Sequence, residues 1–183
     1  MRYFKKIVKE SIGVLLMCTV ITMFSGMALS SADEMLAAIP FLILILPAQN
    51  DVIGDMCQVL VGRMTSHLYI GLVPARLSFT PRVKTDFLAL FTSLALSIGA
   101  MLVINVFLAL ASGIAFGNFF LVLFVVICTA FSLFVIMAFM LYLGAIYIFR
   151  HNKDPNNFLI PITTSLIDTL SPVLTIVFML LLL

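Results

Sequence analysis

A chain of 183 residues that is 63% hydrophobic and only 10% charged, with a mean hydropathy of +1.27, stands far from soluble domains, which are about 45–50% apolar and about 25% charged. An ordinary soluble domain, a disordered chain and a nucleic-acid binder are excluded, and an integral membrane protein remains. The net charge is only +2, so the placement of charge carries more information than its sum.

Apolar runs long enough to cross a bilayer predict five helical spans, at about residues 12–30, 35–72, 87–112, 119–149 and 158–183. The first follows a basic flank, as a signal peptide would, but its run is long for a signal core and four similar spans follow. The second is longer than a bilayer needs. Pro47 with Asn50 and Asp51 predicts a break near residues 47–51; carbonyls freed there are tolerated only where they line a cavity or find other partners. The fourth is long enough to tilt. The connections are short. In Ser30-Ser31-Ala32-Asp33-Glu34 the Ser-x-x-acid spacing fits a cap for the next helix; the others are residues 74–86, 112–118 and 150–157. No linker separates two units, so residues 1–183 are expected to form one all-α membrane domain. Cys18, Cys57 and Cys128 lie far apart inside apolar stretches and read as small apolar fillers, not as a disulfide or zinc framework.

Cytoplasmic loops collect Lys and Arg. With the N-terminus inside, the tail and the connections 74–86 and 150–157 hold Arg2, Lys5, Lys6, Lys9, Arg76, Arg82, Lys84, Arg150 and Lys153 on the inner side, and Arg63 lies on the inner part of the second span. That accounts for all ten basic residues. The outer connections carry none, and one carries Asp33 and Glu34. The expected topology is therefore N-terminus cytoplasmic and C-terminus outside. Tyr3, Tyr69 and Tyr147 fall near the inner boundary, as an aromatic belt does.

A carboxylate inside a bilayer is costly and faces the bundle interior or water. Asp51, Asp55 and Asp168 fall within predicted spans. Asp51 and Asp55 are four residues apart and share a helix face; Gln58, Gly62 and Ser66 continue it, with Asn50 beside it. The fifth span presents Pro161, Thr164, Ser165 and Asp168, with Thr163 beside them and Pro172 a turn further on. Two readings are open: the polar groups bind helices together or pair with Arg63, or the two stripes line a cation path. Carboxylate, carbonyl and water oxygens suit hard cations such as Mg²⁺, Ca²⁺ and Mn²⁺. Mg²⁺ keeps several waters and takes one or two direct carboxylates, which suits a wide, sparsely acidic path. Arg63 either snorkels to the inner interface or pairs with a carboxylate. His67 and His151 are expected to be cytoplasmic or interfacial, and Asn105 to make an interhelical hydrogen bond.

Pro47-Ala48, Gly54-Asp55, Arg63, Ser66 and Gly71, together with Asp154-Pro155-Asn156-Asn157 and Pro161-Ile162-Thr163-Thr164-Ser165-Leu166-Ile167-Asp168, resemble the second and fifth membrane helices of MgtE-type magnesium transporters and their solute-carrier-family-41 relatives. The five-span count and orientation agree with that resemblance. It implies that Asp168 stands where the family's pore-lining aspartate holds hydrated Mg²⁺. It also places Asp55 at a family asparagine, sets Asn50 and Asp51 in place of glycine-rich sequence, and puts Gln58 one residue from a family glutamine. The added negative charge leaves another divalent ion open as substrate. Bacterial members carry paired nucleotide-binding regulatory modules; only a short tail precedes residue 12 here, so none is expected in this chain. Animal members carry two copies of the five-helix unit, so the resemblance implies a homodimer.

The expected function is divalent-cation transport, Mg²⁺ first, by a homodimer in a cell membrane, with the prokaryotic plasma membrane as the expected location. The expected ion-site residues are Asp168, Asp55, Asp51, Asn50, Gln58, Thr164 and Ser165. No catalytic cofactor, no enzymatic activity and no nucleic-acid partner are expected. A non-transporting metal sensor or partner subunit is the alternative. An intramembrane aspartyl protease is disfavoured, because the Gly-x-Gly-Asp pattern of such enzymes is missing from the sequence.

Overall fold

The structure, a computed structural model, describes residues 2–31 and 39–182. Among them are five helices and no strand: α1 Arg2–Ser31, α2 Pro40–Tyr69, α3 Pro81–Ser112, α4 Phe119–Arg150 and α5 Pro155–Leu182. Three of these, α3, α4 and α5, are long and apolar enough to cross a membrane. Within α1 the apolar stretch is the shorter Ile12–Met27. Helix α2 has the length, but Gln49, Asn50, Asp51 and Asp55 interrupt its apolar character.

Prolines set three of the helix starts. Pro40 and Pro81 stand in the first turns of α2 and α3, where a missing N–H removes no helical bond. Thr80 caps α3, its hydroxyl accepting the Val83 N–H, so that helix begins six residues before the apolar run that predicted it. Asp154 accepts the Asn156 N–H at 3.0 Å and Pro155 opens α5. Gly113 ends α3 with φ +66°, a conformation that suits glycine. The break expected near residues 47–51 is absent: α2 runs through Pro47 as one helix. A single interior proline removes one backbone bond, here to the Ile43 carbonyl, without dividing the helix. The capping pattern at residues 30–34 and the first residues of the predicted second span lie largely outside the described residues.

The buried faces explain the packing order. Helix α1 buries one narrow line, Val14, Cys18 and Ser25, and packs on α5 alone among the described elements. Helix α3 buries Val83, Asp86, Leu90, Leu94, Ile98, Met101, Asn105 and Ala109, a single stripe at helical period, and lies mainly against α2. Helices α2 and α4 are buried more broadly and pack on each other and on α5. Phe41, Ile53, Leu60, Met64, Leu133, Phe134, Met137 and Tyr142 fill that centre.

Two polar arrangements tie the bundle where α2 ends and α3 begins. The buried Tyr142 hydroxyl on α4 donates to the Ser78 carbonyl at 2.8 Å and accepts its N–H at 3.2 Å, fixing the α2–α3 connection. Phe79 stacks on the same ring. Nearby, Asp86 of α3 is almost wholly buried and receives His67 Nε2 at 2.7 Å and an Arg63 guanidinium nitrogen at 3.2 Å. Arg63 is therefore paired with a carboxylate, and His67, near the end of α2, is buried against its protein neighbours. Asn105 corrects another expectation: its amide donates to the Met101 carbonyl of its own helix at 2.9 Å, not to a neighbouring helix. A helix-internal carbonyl one turn back is the nearest acceptor for so short a side chain.

Candidate functional site

Helices α1, α2 and α5 enclose a cavity of about 380 Å³. From α2 it is lined by Leu46, Pro47, Asn50, Asp51, Gly54 and Gln58, from α5 by Thr164, Ile167, Asp168 and Pro172, and from α1 by Ser25. The lining follows from helical periodicity: positions 47, 50, 51, 54 and 58 share one face of α2, and 164, 168 and 172 share one face of α5. Small residues keep the space open. Gly54 presents no side chain, and a Cβ there meets no atom within 4 Å.

Asp168 stands near the middle of α5. Pro172, four residues on, has no N–H to give to the Asp168 carbonyl. The buried Ser25 hydroxyl of α1 donates to that carbonyl instead, at 2.6 Å. One proline thus frees a backbone oxygen at the cavity wall, and one serine both satisfies it and holds α1 against α5. The Asp168 side chain faces Asn50, whose amide nitrogen is 3.5 Å from Oδ1, at the long limit of a hydrogen bond. Asn50 Oδ1 is buried and has no hydrogen-bond partner among the described residues. The hydroxyls of Thr163, Thr164, Thr169 and Thr175 each donate to a carbonyl of α5 itself, at 2.6–2.9 Å. Their protons are thereby used, and Thr164 presents lone pairs to the cavity.

Five of the residues expected at an ion site come together here: Asp168, Asp51, Asn50, Gln58 and Thr164. The other two do not. Asp55 is exposed one turn along α2, outside the cavity lining, and Ser165 is buried away from it, its carbonyl accepting the Thr169 hydroxyl. Ser25 was missed, because its place on the wall depends on α1 docking against α5, which no spacing within the chain reports. The Asp86–His67–Arg63 group was missed for the same reason, although Arg82 four residues before Asp86 was a visible hint.

The donor set is two carboxylates with neutral amide, hydroxyl and carbonyl oxygens. Among the described residues no three His, Cys, Asp or Glu side chains converge as a metal cage. This arrangement fits a hard cation that keeps part of its water shell, since Mg²⁺ dehydrates reluctantly and takes few direct carboxylates. Asp51, Asp55 and Asp168 are all exposed, so the cavity opens on an acidic face of α2 and α5.

No curated protein and no solved structure matches the chain significantly. A family model described as MgtE, divalent cation transporter, matches residues 46–178, a stretch that includes every cavity-lining residue except Ser25. That match covers well over half of the chain, and the chain belongs to the MgtE family of divalent cation transporters.

Proposed function

We propose that the chain carries Mg²⁺, or a divalent ion close to it, across a cell membrane along a path between α2 and α5, with Asp168 as the central ion-binding group. The observation that carries this reading is the polar cavity of about 380 Å³ holding Asp51 and Asp168 at mid-helix. Carboxylates at such depth mark substrate or ion pathways. Asn50, Gln58 and Thr164 supply neutral oxygens, directly or through water. Asp55 belongs to the approach along α2, and Ser165 supports the wall from behind.

The same reading has all five helices crossing the bilayer with the N-terminus inside. The basic residues then lie on one side, as cytoplasmic segments require. A prokaryotic plasma membrane suits a unit of this kind. Exposed Asp51, Asp55 and Asp168 are costly against lipid, and a second copy across a two-fold axis covers them and doubles the ligands. A homodimer of five plus five helices follows as part of the proposal.

The test is Mg²⁺ entry into proteoliposomes carrying a trapped Mg²⁺ indicator, wild type against Asp168→Ala, with Mn²⁺ and Ca²⁺ as competitors. Wild-type flux that disappears in a folded Asp168→Ala protein is the expected result, and the competition ranks the ions. Folded wild type that passes no divalent ion contradicts the proposal and favours a sensor or partner role.

A further inference from the structure

Helix α2 carries its exposed residues in four-residue steps, Asp51, Asp55, Val59 and Arg63. The acidic part of the proposed path therefore leads, along one strip of one helix, to an arginine. The axial separation of Asp55 and Arg63 is about 12 Å, at 1.5 Å per residue. An uncompensated guanidinium there acts directly against a divalent cation at the level of Asp55. At an effective dielectric constant of about 20 and that distance, Coulomb's law allows up to about a hundredfold loss of affinity for a doubly charged ion, less once solvent screens it.

Arg63 is not left uncompensated. Asp86, at the first turns of α3, accepts it at 3.2 Å and is itself only 3% exposed, while Arg63 is 43% exposed. His67, one turn further along α2, places its Nε2 2.7 Å from the other carboxylate oxygen and so holds the orientation of Asp86, with Arg82 Nε 3.4 Å from the same ring nitrogen. Arg82 Nε stands 4.0 Å from that same oxygen. The carboxylate is thus turned so that one oxygen is reserved for Arg63. Besides tying α2 to α3, this buried carboxylate stands apart from the cavity between α2 and α5, whose lining does not include it.

We infer that Asp86 is a positioning residue for the cation path, which draws Arg63 toward α3, neutralises it, and so keeps the inner end of the acidic strip free of a fixed positive charge. The inference rests on the transport reading above. Its distinguishing consequence is that loss of Asp86 is harmful because Arg63 is present. A merely structural carboxylate has no such dependence.

The experiment compares wild type, Asp86→Asn, Arg63→Gln and Arg63→Gln/Asp86→Asn in two readouts: Mg²⁺-dependent thermal stabilisation of the solubilised protein, and Mg²⁺ entry into proteoliposomes. Asp86→Asn is expected to weaken Mg²⁺ binding and slow entry about tenfold, and the double variant to return within about threefold of wild type. Asp86→Asn that behaves as wild type, or a double variant as poor as Asp86→Asn, overturns the inference. Should Asp86→Asn fail to fold, Arg63→Gln decides: binding equal to or tighter than wild type supports the inference, and weaker binding overturns it. Wild type that binds Mg²⁺ without passing it defeats the transport reading alone, and the binding arm still decides the role of Asp86. Wild type that neither binds nor passes Mg²⁺ overturns both.

Discussion

At Asp168 the side chain and the main chain have separate partners, and the main-chain partner is the more informative. Pro172 leaves the carbonyl without its helical bond, and Ser25 fills the vacancy at 2.6 Å. Interhelical hydrogen bonds in membranes average about 0.6 kcal/mol, equivalent to about threefold in an equilibrium. Ser25→Ala is therefore expected to reduce Mg²⁺ entry by about that factor and to lower thermal stability slightly. In a Pro172→Ala background position 172 regains an N–H that can serve the same carbonyl, so Ser25→Ala there is expected to have little further effect. A double-mutant cycle on transport measures this; additive losses contradict the shared carbonyl. Residues whose place on the cavity wall follows from spacing along one helix were legible in the sequence: Asp51 with Asn50 and Gln58, and Thr164 with Asp168. Ser25 and Asp86 were not, because each acts on a residue of another helix. Asn105 was misread because a buried amide has two ways to be satisfied, and its own helix is the nearer.

Elements were legible to the extent that hydrophobicity alone defines them. The cores of α3, α4 and α5 coincide with long apolar runs, α1 with the shorter run Ile12–Met27, and α2 with a run that polar residues interrupt at its centre. Their starts are set by different chemistry, Thr80 with Pro81 and Asp154 with Pro155, which lies outside the apolar runs and was visible only as local turn signals. The break expected at Pro47 was an overreading of one lost bond. Close approach between elements is a third matter. Gly144 of α4 faces Leu159 of α5, and a Cβ placed on it stands 3.0 Å from the Leu159 Cδ2 atom. The far end of a leucine yields to a methyl group, so Gly144→Ala is expected to cost less than about 1 kcal/mol. Gly144→Leu overfills the same contact, and such overpacking costs about 1–3 kcal/mol. Thermal unfolding of the solubilised variants separates the two; equal stabilities contradict the close α4–α5 contact.

Over the whole molecule, the distribution of exposure is what bears on assembly. Leu96, Phe107, Phe120 and Leu181 are exposed and apolar, as lipid-facing positions are. The strip with Asp51, Asp55 and Asp168 is exposed and acidic. A bilayer tolerates the first surface and not the second. If a second copy covers the acidic strip, Asp55→Cys in a chain freed of Cys18, Cys57 and Cys128 forms an oxidative cross-link between protomers in membranes, while Leu96→Cys does not. Monomers only, or cross-linking at both positions alike, contradict the two-fold arrangement.

The most direct measurement asks whether a cation occupies the space between α2 and α5. In the same cysteine-free background, Thr164→Cys places a thiol on the cavity wall, and its rate of reaction with a cationic thiol reagent is followed with and without Mg²⁺. The predicted result is a reaction slowed several-fold by Mg²⁺, with the protection lost when Asp168→Asn is added. A rate indifferent to Mg²⁺, or protection that survives Asp168→Asn, contradicts a cation path at Asp168.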